Sequence, residues 1–512
     1  MAALLAQATS GTTLQTPSVA WSTLSPLLVL LGGAVFLLVV AALLPRRSKV
    51  SWHAIVTVLV ALGAIGAVVP LWRRVHDHGP MNVVAGAVGV DGFSLFVTVV
   101  ICASVVLAAL LTEGYLRREG LQGPEAYILM LLSASGGVIM ASANDLIVLF
   151  LGLEILSIAA YVLAGMHVRR VRSGEAAMKY FVLGAFSSAF FLYGIALIYG
   201  ATGTTNLVRI ADFLAQNTLT DSGLLVAGLA LLLVGFGFKV AAAPFHSWTP
   251  DVYQGSPSPV VAYMASGVKA AGFAALLRVF VVCFGGYRLD WQPIVYAIAI
   301  LSLVLGAVLA VVQTDVKRMM AYSSINHAGF ILLGVQAAST RGISAALFYL
   351  ASYTFFVAGA FGIITLVGRR GDGHHQLGDY QGLARREPLI ALAFTVFLLA
   401  QAGTPLTSGF LAKFYVINAA VQARSFWLAL VAMLSAVVSA FMYLRIILTM
   451  YTPATDAEGA DAAPAGPRIR VPAAAAIALV IAIVATIGIG LVPDPLTRTA
   501  RDAVPALVAP SR

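Results

Sequence analysis

A glutamate and four lysines lie inside long apolar runs of this sequence, where an ionisable side chain is expensive and is a functional candidate by default. Glu154 sits midway along FLGLEILSIAAYVL, Lys179 in the first turn of EAAMKYFVLGAFSS, Lys239 in GFGFKVAAAP and Lys269 in YMASGVKAAGF. Lys413 follows the Gly-Thr-Pro of GTPLTSGFLAKFY. Two rings join them, His327 in AYSSINHAGF and His246 just after Pro244. A lysine near a helix end can lift its ammonium to a membrane interface. That reading suits Lys179 but suits Lys239 and Lys269 poorly, because both have apolar flanks on either side. Glutamate is too short to escape in this way, so Glu154 needs a partner. His327 is either a relay or a satisfied polar residue between helices. His246 and Asp251 either share in transfer or cap backbone groups freed by Pro244.

Such a set suits stepwise proton movement. Moving one charge across about 150 mV takes roughly 3.5 kcal/mol, equivalent to about 2.5 pKa units. A carboxylate beside a lysine is worth about 1–3 units, so making and breaking one pair, Glu154 with Lys239, is of the right size. A single buried hydrogen bond, at about 1 kcal/mol, is too small.

The elements that must position these groups are membrane helices. Of 512 residues 60% are hydrophobic and 10% charged, against roughly 25% charged in soluble domains. Apolar runs long enough to cross a bilayer recur along the whole chain: 24–44, 51–72, 93–115, 125–142, 144–166, 176–201, 222–246, 254–285, 292–314, 318–337, 343–368, 389–423, 425–450 and 471–492. The expected fold is therefore an all-α polytopic membrane protein of about 14 transmembrane helices. The eighth and twelfth runs are too long for a simple crossing and contain proline, so both are expected to be broken. Basic residues gather after odd-numbered runs, among them Arg46, Arg47, Lys49, Arg117, Arg118, Arg169, Arg170, Lys317, Arg318, Arg369 and Arg370. The positive-inside rule then puts those loops, and the 451–470 segment, in the cytoplasm and both termini on the periplasmic face. The same loops account for the net charge of +10 without a nucleic-acid partner.

A weak internal repeat organises the middle. SANDLIVLF around Asp145 resembles QTDVKRMMA around Asp315, and KVAAAPFHSW around Pro244 resembles AQAGTPLTSG around Pro405. Each half would span five helices, an odd number, so the copies must be inverted, with broken helices at the midplane as in ion-transporting folds. The division expected is 1–120 for three leading helices, 121–288 and 289–450 for the two five-helix repeats, and 451–512 for a loop and a last helix. The chemistry excluded is equally plain. Cys102 and Cys283 stand alone, with no CxxC or His-rich tract, so no metal, iron–sulfur or haem ligand set is present. GFGFKV lacks the third glycine of a dinucleotide fingerprint and lies in an apolar helix. The first residues lack the basic start of a cleaved signal.

The run 239–273, KVAAAPFHSWTPDVYQGSPSPVVAYMASGVKAAGF, resembles the signature of the proton-conducting subunits shared by respiratory complex I (NADH–quinone oxidoreductase) and Mrp-type cation/proton antiporters. Its VYQGSPSP portion is similar to the N-type subunits of that family. FLGLEILSIAAYVLAG, EAAMKYFVLGAFSSA, QTDVKRMMAYSSINHAGF and GTPLTSGFLAKFY extend the resemblance over most of 140–420. The resemblance implies a proton-translocating membrane subunit with a carboxylate–lysine pair at Glu154 and Lys239, a relay at Lys269 and a terminal exchanging lysine at Lys413. Lys179, His327 and His246 would be secondary. It further implies flavin, iron–sulfur clusters and quinone on partner subunits and no cofactor on this chain. The partners would be membrane subunits of the M, L, K, J, A and H types, together with lipid, in a bacterial inner membrane. The eleventh run, AALFYLASYTFFVAGAF, lacks the histidines of L-type chains. That leaves His327, Ser352, Tyr353 and Thr354 as candidates to link the halves. An Mrp-type antiporter subunit is the alternative function, and a membrane scaffold whose buried charges are purely structural is a third.

Overall fold

The computed structural model describes residues 19–43, 50–121, 123–217, 222–453 and 469–507. Among these, 11 helices are long and apolar enough to cross a membrane. The first are α1 (Ser25–Leu43) and α2 (Val50–His78), followed by a two-stranded antiparallel hairpin, β1 (Met81–Val83) and β2 (Val88–Val90). This small sheet, absent from the all-helical expectation, has Gly86 at φ 89° in its turn, a conformation that suits glycine. Next come α3 (Gly92–Glu119), α4 (Glu125–Ser142), α5 (Leu146–Ala164), α6 (Val171–Thr202), a short amphipathic α7 (Leu207–Gln216) and α8 (Gly223–Lys239). The irregular segment 240–248 leads to α9 (Thr249–Gly255) and then α10 (Ser258–Cys283). The second half comprises α11 (Arg288–Val311), α12 (Val316–Gln336), α13 (Thr340–Val367), α14 (Pro388–Ala402), α15 (Ser408–Gln422) and α16 (Phe426–Tyr451), closed by α17 (Ala473–Leu491) and α18 (Asp494–Asp502).

Position in the bundle does not follow hydropathy alone. The most apolar stretches of α10 and α13 are 89% and 94% buried inside the molecule, whereas those of α1 and α17 are 28% buried. The outer helices turn apolar residues outward as lipid requires, and the inner pair holds what must be kept from it. Glycine lets neighbouring helices approach closely, as membrane interfaces need. A Cβ on Gly136 of α4 would meet the Leu156 amide nitrogen of α5 at 2.4 Å. One on Gly306 of α11 would meet the Asn326 nitrogen of α12 at 2.5 Å.

These two helix pairs begin the two expected repeats, and their starts are alike. Asp145 caps α5 by accepting from the Ile147 and Val148 amides, and Asp315 caps α12 by accepting from the Arg318 amide. Each aspartate also makes an isolated antiparallel bridge, Asp145 with Asn206 and Asp315 with Gln376. At the far end of α5, Arg170 bonds Asp372, beside the Asp315 bridge. The helices α5 and α12 therefore start at opposite ends of the bundle.

Proline breaks the chain in the seventh expected span, at Pro244 just after Lys239, and in the twelfth, at Pro405; the eighth, also expected to be broken, is not. α8 stops at Lys239, and Ala243–Pro244 lies in the irregular segment before α9. α14 stops at Ala402, and α15 starts at Ser408 after Pro405. The eighth span runs unbroken as α10 because Pro257 and Pro259 sit at its N-terminus, where proline needs no hydrogen-bond partner. Its irregularity is of another kind, two π turns at Met264–Val268 and Leu277–Cys283. Arg46, Arg47, Lys49 and most of the expected 451–470 loop fall outside the described residues.

Candidate functional site

Lys239 is the last residue of α8, so its side chain leaves the helix where the backbone ladder ends. Its Nζ donates to Ser157 Oγ on α5 at 2.7 Å, and that hydroxyl donates on to the Leu153 carbonyl. Glu154 lies on the same helix one turn before Ser157, half-buried, and its Oε1 accepts from Ser188 Oγ of α6 at 2.5 Å. Ammonium and carboxylate thus sit in one neighbourhood, each held by a serine, and the expected pair does not touch. The reason is geometric: three residues along α5 place the carboxylate a turn away from the point that Lys239 reaches. A cavity of about 10 Å³ is bounded by Lys239, Ser157, Ser187 and Ser188, so it joins the two serines that hold the ammonium and the carboxylate. That is about the space of one water.

Lys269 follows the first π turn of α10, a feature frequent at functional sites. Its Nζ donates to both the carbonyl and the hydroxyl of Ser324 on α12, at 2.6 and 2.5 Å. Tyr353 of α13 donates to the same hydroxyl at 3.0 Å. One turn further along α12, His327 Nδ1 is 2.6 Å from the Tyr349 hydroxyl and Nε2 is 3.2 Å from the Tyr443 hydroxyl. Tyr443 meets Ser323 at 2.5 Å, and Ser323 donates to Gln401 Oε1 at 3.2 Å. Gln401 adjoins the break after α14, where Lys413 donates to the Ala402 carbonyl at 2.8 Å and stands 4.9 Å from the centre of the Phe330 ring. Of the candidates for a link between halves, His327 and Tyr353 join this network. Thr354 bonds back to its own helix at the Leu350 carbonyl, and the Ser352 hydroxyl is buried without a partner.

Burial separates two kinds of charge. Lys239, Lys269 and Lys413 are 4%, 2% and 6% exposed, yet none makes an ion pair among the described residues. Other buried charges do. Arg278 of α10 grips both oxygens of Asp91, at 2.8 and 3.0 Å, with neither side chain reaching the surface. Lys317 and Arg170 both meet Asp372 Oδ2, at 3.3 and 2.9 Å, while His375 meets Oδ1 at 2.9 Å. Lys317 was expected as a loop charge and is fully buried, because the 368–376 loop folds over the start of α12. Burial alone would raise the Asp372 carboxyl; Lys317, His375 and Arg170 outweigh it and hold the carboxyl well below the usual range. Arg278 stands alone in an apolar run and was open to discovery from sequence, whereas Asp372 lies in a polar segment that reads as a solvated loop.

The secondary candidates divide. Lys179 pairs with Glu175 and Asp251 at 2.7 and 2.8 Å and is 42% exposed. Asp251 also takes Arg318 at 2.6 Å, so it joins α6, α9 and α12 rather than capping a helix end. The His246 ring lies against the Pro244 carbonyl, outside the chain of contacts that runs through the buried lysines.

Comparison with known proteins places this arrangement. Residues 143–439 match the family described as NADH:quinone oxidoreductase/Mrp antiporter, transmembrane. The chain is 41% identical over 470 residues to a protein of Trichlorobacter lovleyi named NADH-quinone oxidoreductase subunit N, covering 91% of this chain and 93% of that one. It is 40% identical to the protein of that name from Mycobacterium tuberculosis, covering 96% and 99%. Among solved structures, a chain of respiratory complex I from Thermus thermophilus with bound Aureothin is similar, with a TM-score of 0.75, 34% identity, and coverage of 92% and 98%. A chain of the Mrp complex from Dietzia has the same fold, with a TM-score of 0.81, 24% identity, and coverage of 94% and 96%.

Proposed function

Because the chain belongs to the NADH:quinone oxidoreductase/Mrp antiporter family of membrane proteins, we propose that it moves protons along a buried line of Glu154, Lys239, Lys269, His327 and Lys413. It is an antiporter-like, proton-pumping membrane subunit of an NADH–quinone oxidoreductase, one of several membrane subunits in a respiratory complex. The observation that carries the proposed path is the contrast among buried charges. A buried charge without an opposite partner costs far more than a paired one. Three lysines at helix breaks or a π turn bear that cost, while Arg278 and Lys317 are neutralised locally. An amine that hydrogen-bonds only to hydroxyls and carbonyls can be kept neutral, and so can accept and release a proton.

In this reading Glu154 and Lys239 load the first half, Lys269 passes charge to the α12 network, and Lys413 exchanges at the second break. Lys179 and His246 support the helix packing around the path. Redox chemistry, with flavin, iron–sulfur clusters and quinone, belongs to partner subunits of the H, A, J, K, L and M types and their soluble arm. Two inverted repeats, 121–288 and 289–450, follow a leading unit, 1–120, and precede a last helix within 451–512. Both termini face the periplasm of a bacterial inner membrane. The shared caps and bridges of Asp145 and Asp315 support the repeat.

The test is Glu154→Gln and Lys239→Ala in the intact complex, read by proton pumping in sealed vesicles and by quinone reduction. Both activities should fall together, and the double variant should be no worse than either single one if the residues act as one unit. Undiminished pumping in both variants would leave the buried charges as scaffold.

A further inference from the structure

A second polar site lies away from the lysine line, at the end of the bundle opposite Asp372. The first turns of α13, the last turns of α15 and the helix α18 enclose a cavity of about 590 Å³. Two guanidinium groups border it, Arg341 and Arg501, with Asn418 and Thr497, over the aromatic rings of Phe348 and Tyr415. Among the described residues no carboxylate lines the cavity, and neither arginine makes an ion pair. The Arg341 guanidinium bonds Gln422 Oε1, and among the described residues the Thr497 hydroxyl is buried without a partner. Two unneutralised cations meeting over an apolar floor match an anion attached to something greasy.

The surroundings say what that is. Phe410, Phe414 and Val421 of α15 are 39%, 52% and 40% exposed, and their spacing puts them in one stripe beside the cavity wall. Phe414 touches Tyr415, ring centres 6.0 Å apart, so stripe and cavity are continuous. Just past Gln422, Phe426 and Trp427 are 60% and 75% exposed. Exposed tryptophan at a helix end marks headgroup depth. Thus the arginines lie at the level of lipid phosphates and the phenylalanine stripe at the level of acyl chains.

We propose that this cavity binds one anionic phospholipid, its phosphate held by Arg341 and Arg501 and its acyl chains along the outer face of α15. Arginine suits the role because its planar fork matches phosphate oxygens. The test uses the intact complex, delipidated in mild detergent, supplied with phosphatidylglycerol or phosphatidylcholine in mixed micelles, and weighed by native mass spectrometry. The wild type should retain one phosphatidylglycerol that an Arg341→Gln/Arg501→Gln variant loses, each arginine being worth about tenfold or more in affinity. Phosphatidylcholine should be held more weakly. Equal retention by wild type and variant overturns the proposal. So does displacement by millimolar inorganic phosphate, which would make the ligand a free anion. Should the arginine variant fail to assemble, Ala345→Trp fills the cavity and leaves both cations; loss of one lipid there supports the assignment and an unchanged count refutes it. A benzophenone placed on Ser344→Cys should capture lipid, and capture of a neighbouring subunit instead would show that protein covers the cavity.

Discussion

Lys413 donates to one carbonyl and faces one aromatic ring, and it makes no ion pair among the described residues. A lysine whose task is to hold charge should tolerate arginine there. A lysine that must lose its proton should not, because guanidinium stays protonated. Lys413→Arg should therefore assemble normally, as seen on native gels, and pump poorly per electron pair. Lys413→Glu should keep part of the activity, since a carboxylate also titrates. The serines carry a sharper expectation. Ser157→Ala removes the side-chain acceptor that Lys239 has among the described residues, and a charge-assisted bond of about 1.5–3 kcal/mol is at stake. Pumping should drop by about tenfold, with protein levels unchanged. At this scale the lysines were legible because a charge among leucines is conspicuous, and the serines were not. Ser157, Ser188 and Ser324 look like ordinary packing residues of membrane helices. Only the crossing of α5, α6, α10 and α12 turns them into partners of charge.

Each broken element puts a lysine at or near its free end, Lys239 as the last residue of α8 and Lys413 in the second turn of α15. The break after α14 was readable from Pro405, since that proline interrupts an apolar run. The break after α8 was readable from Pro244, which follows Lys239 in an apolar run; the further break expected in the eighth span is absent because Pro257 and Pro259, counted as interruptions, begin a helix instead. The π turns of α10 had no signature at all, because an extra residue per turn leaves the hydrophobic pattern almost intact. What holds the broken pieces is the tight contact of their unbroken neighbours. Gly136→Ala would drive a methyl group into the α5 backbone at Leu156 and Gly152. Overpacking of this kind costs about 1–3 kcal/mol, so the variant complex should melt earlier and pump less. A thermal stability equal to wild type would mean that α4 and α5 can slide apart freely.

Across the whole molecule, the loop that carries Asp372 clamps the first half to the second through Arg170, Ser258 and Lys317. Asp372→Asn would leave two buried cations without their anion, a loss on the order of 3–5 kcal/mol. Little folded subunit should then reach the membrane, by immunoblot of membrane fractions. The depressed carboxyl fixes the sign of the pH effect. A group more acidic in the folded state stabilises fully above its unfolded value of about 3.9 and loses that stabilisation only as pH falls below it. From that carboxyl alone the clamp loses nothing down to about pH 5, but burial holds the His375 ring below the usual imidazole range, so the clamp should weaken as pH falls below about 6.5, where the unfolded imidazole takes up its proton. The loop charges around Arg170 and Arg370 allow a direct check on topology. Reporters fused there should register as cytoplasmic, and labelling from outside intact cells would reverse the assignment. Helical class was readable from hydropathy, although 11 helices among the described residues, against the 14 expected, are long and apolar enough to cross; the clamp was not readable, since it depends on Asp372 meeting residues 55 to 202 positions away.

The Arg278–Asp91 pair has a third member, for Asp91 Oδ2 also accepts the Ala506 amide at 3.2 Å and Arg278 Nη1 reaches the Ala506 carbonyl at 3.3 Å. Residues 91 and 278 leave the ribosome long before residue 506. During synthesis this buried knot therefore waits, incompletely satisfied, until Ala506 has been made. A stop after Asp502 would strand it permanently. Such a protein should be inserted, remain open at that seam and fall to the membrane's proteases, a fate that pulse-chase labelling would reveal as a shortened half-life.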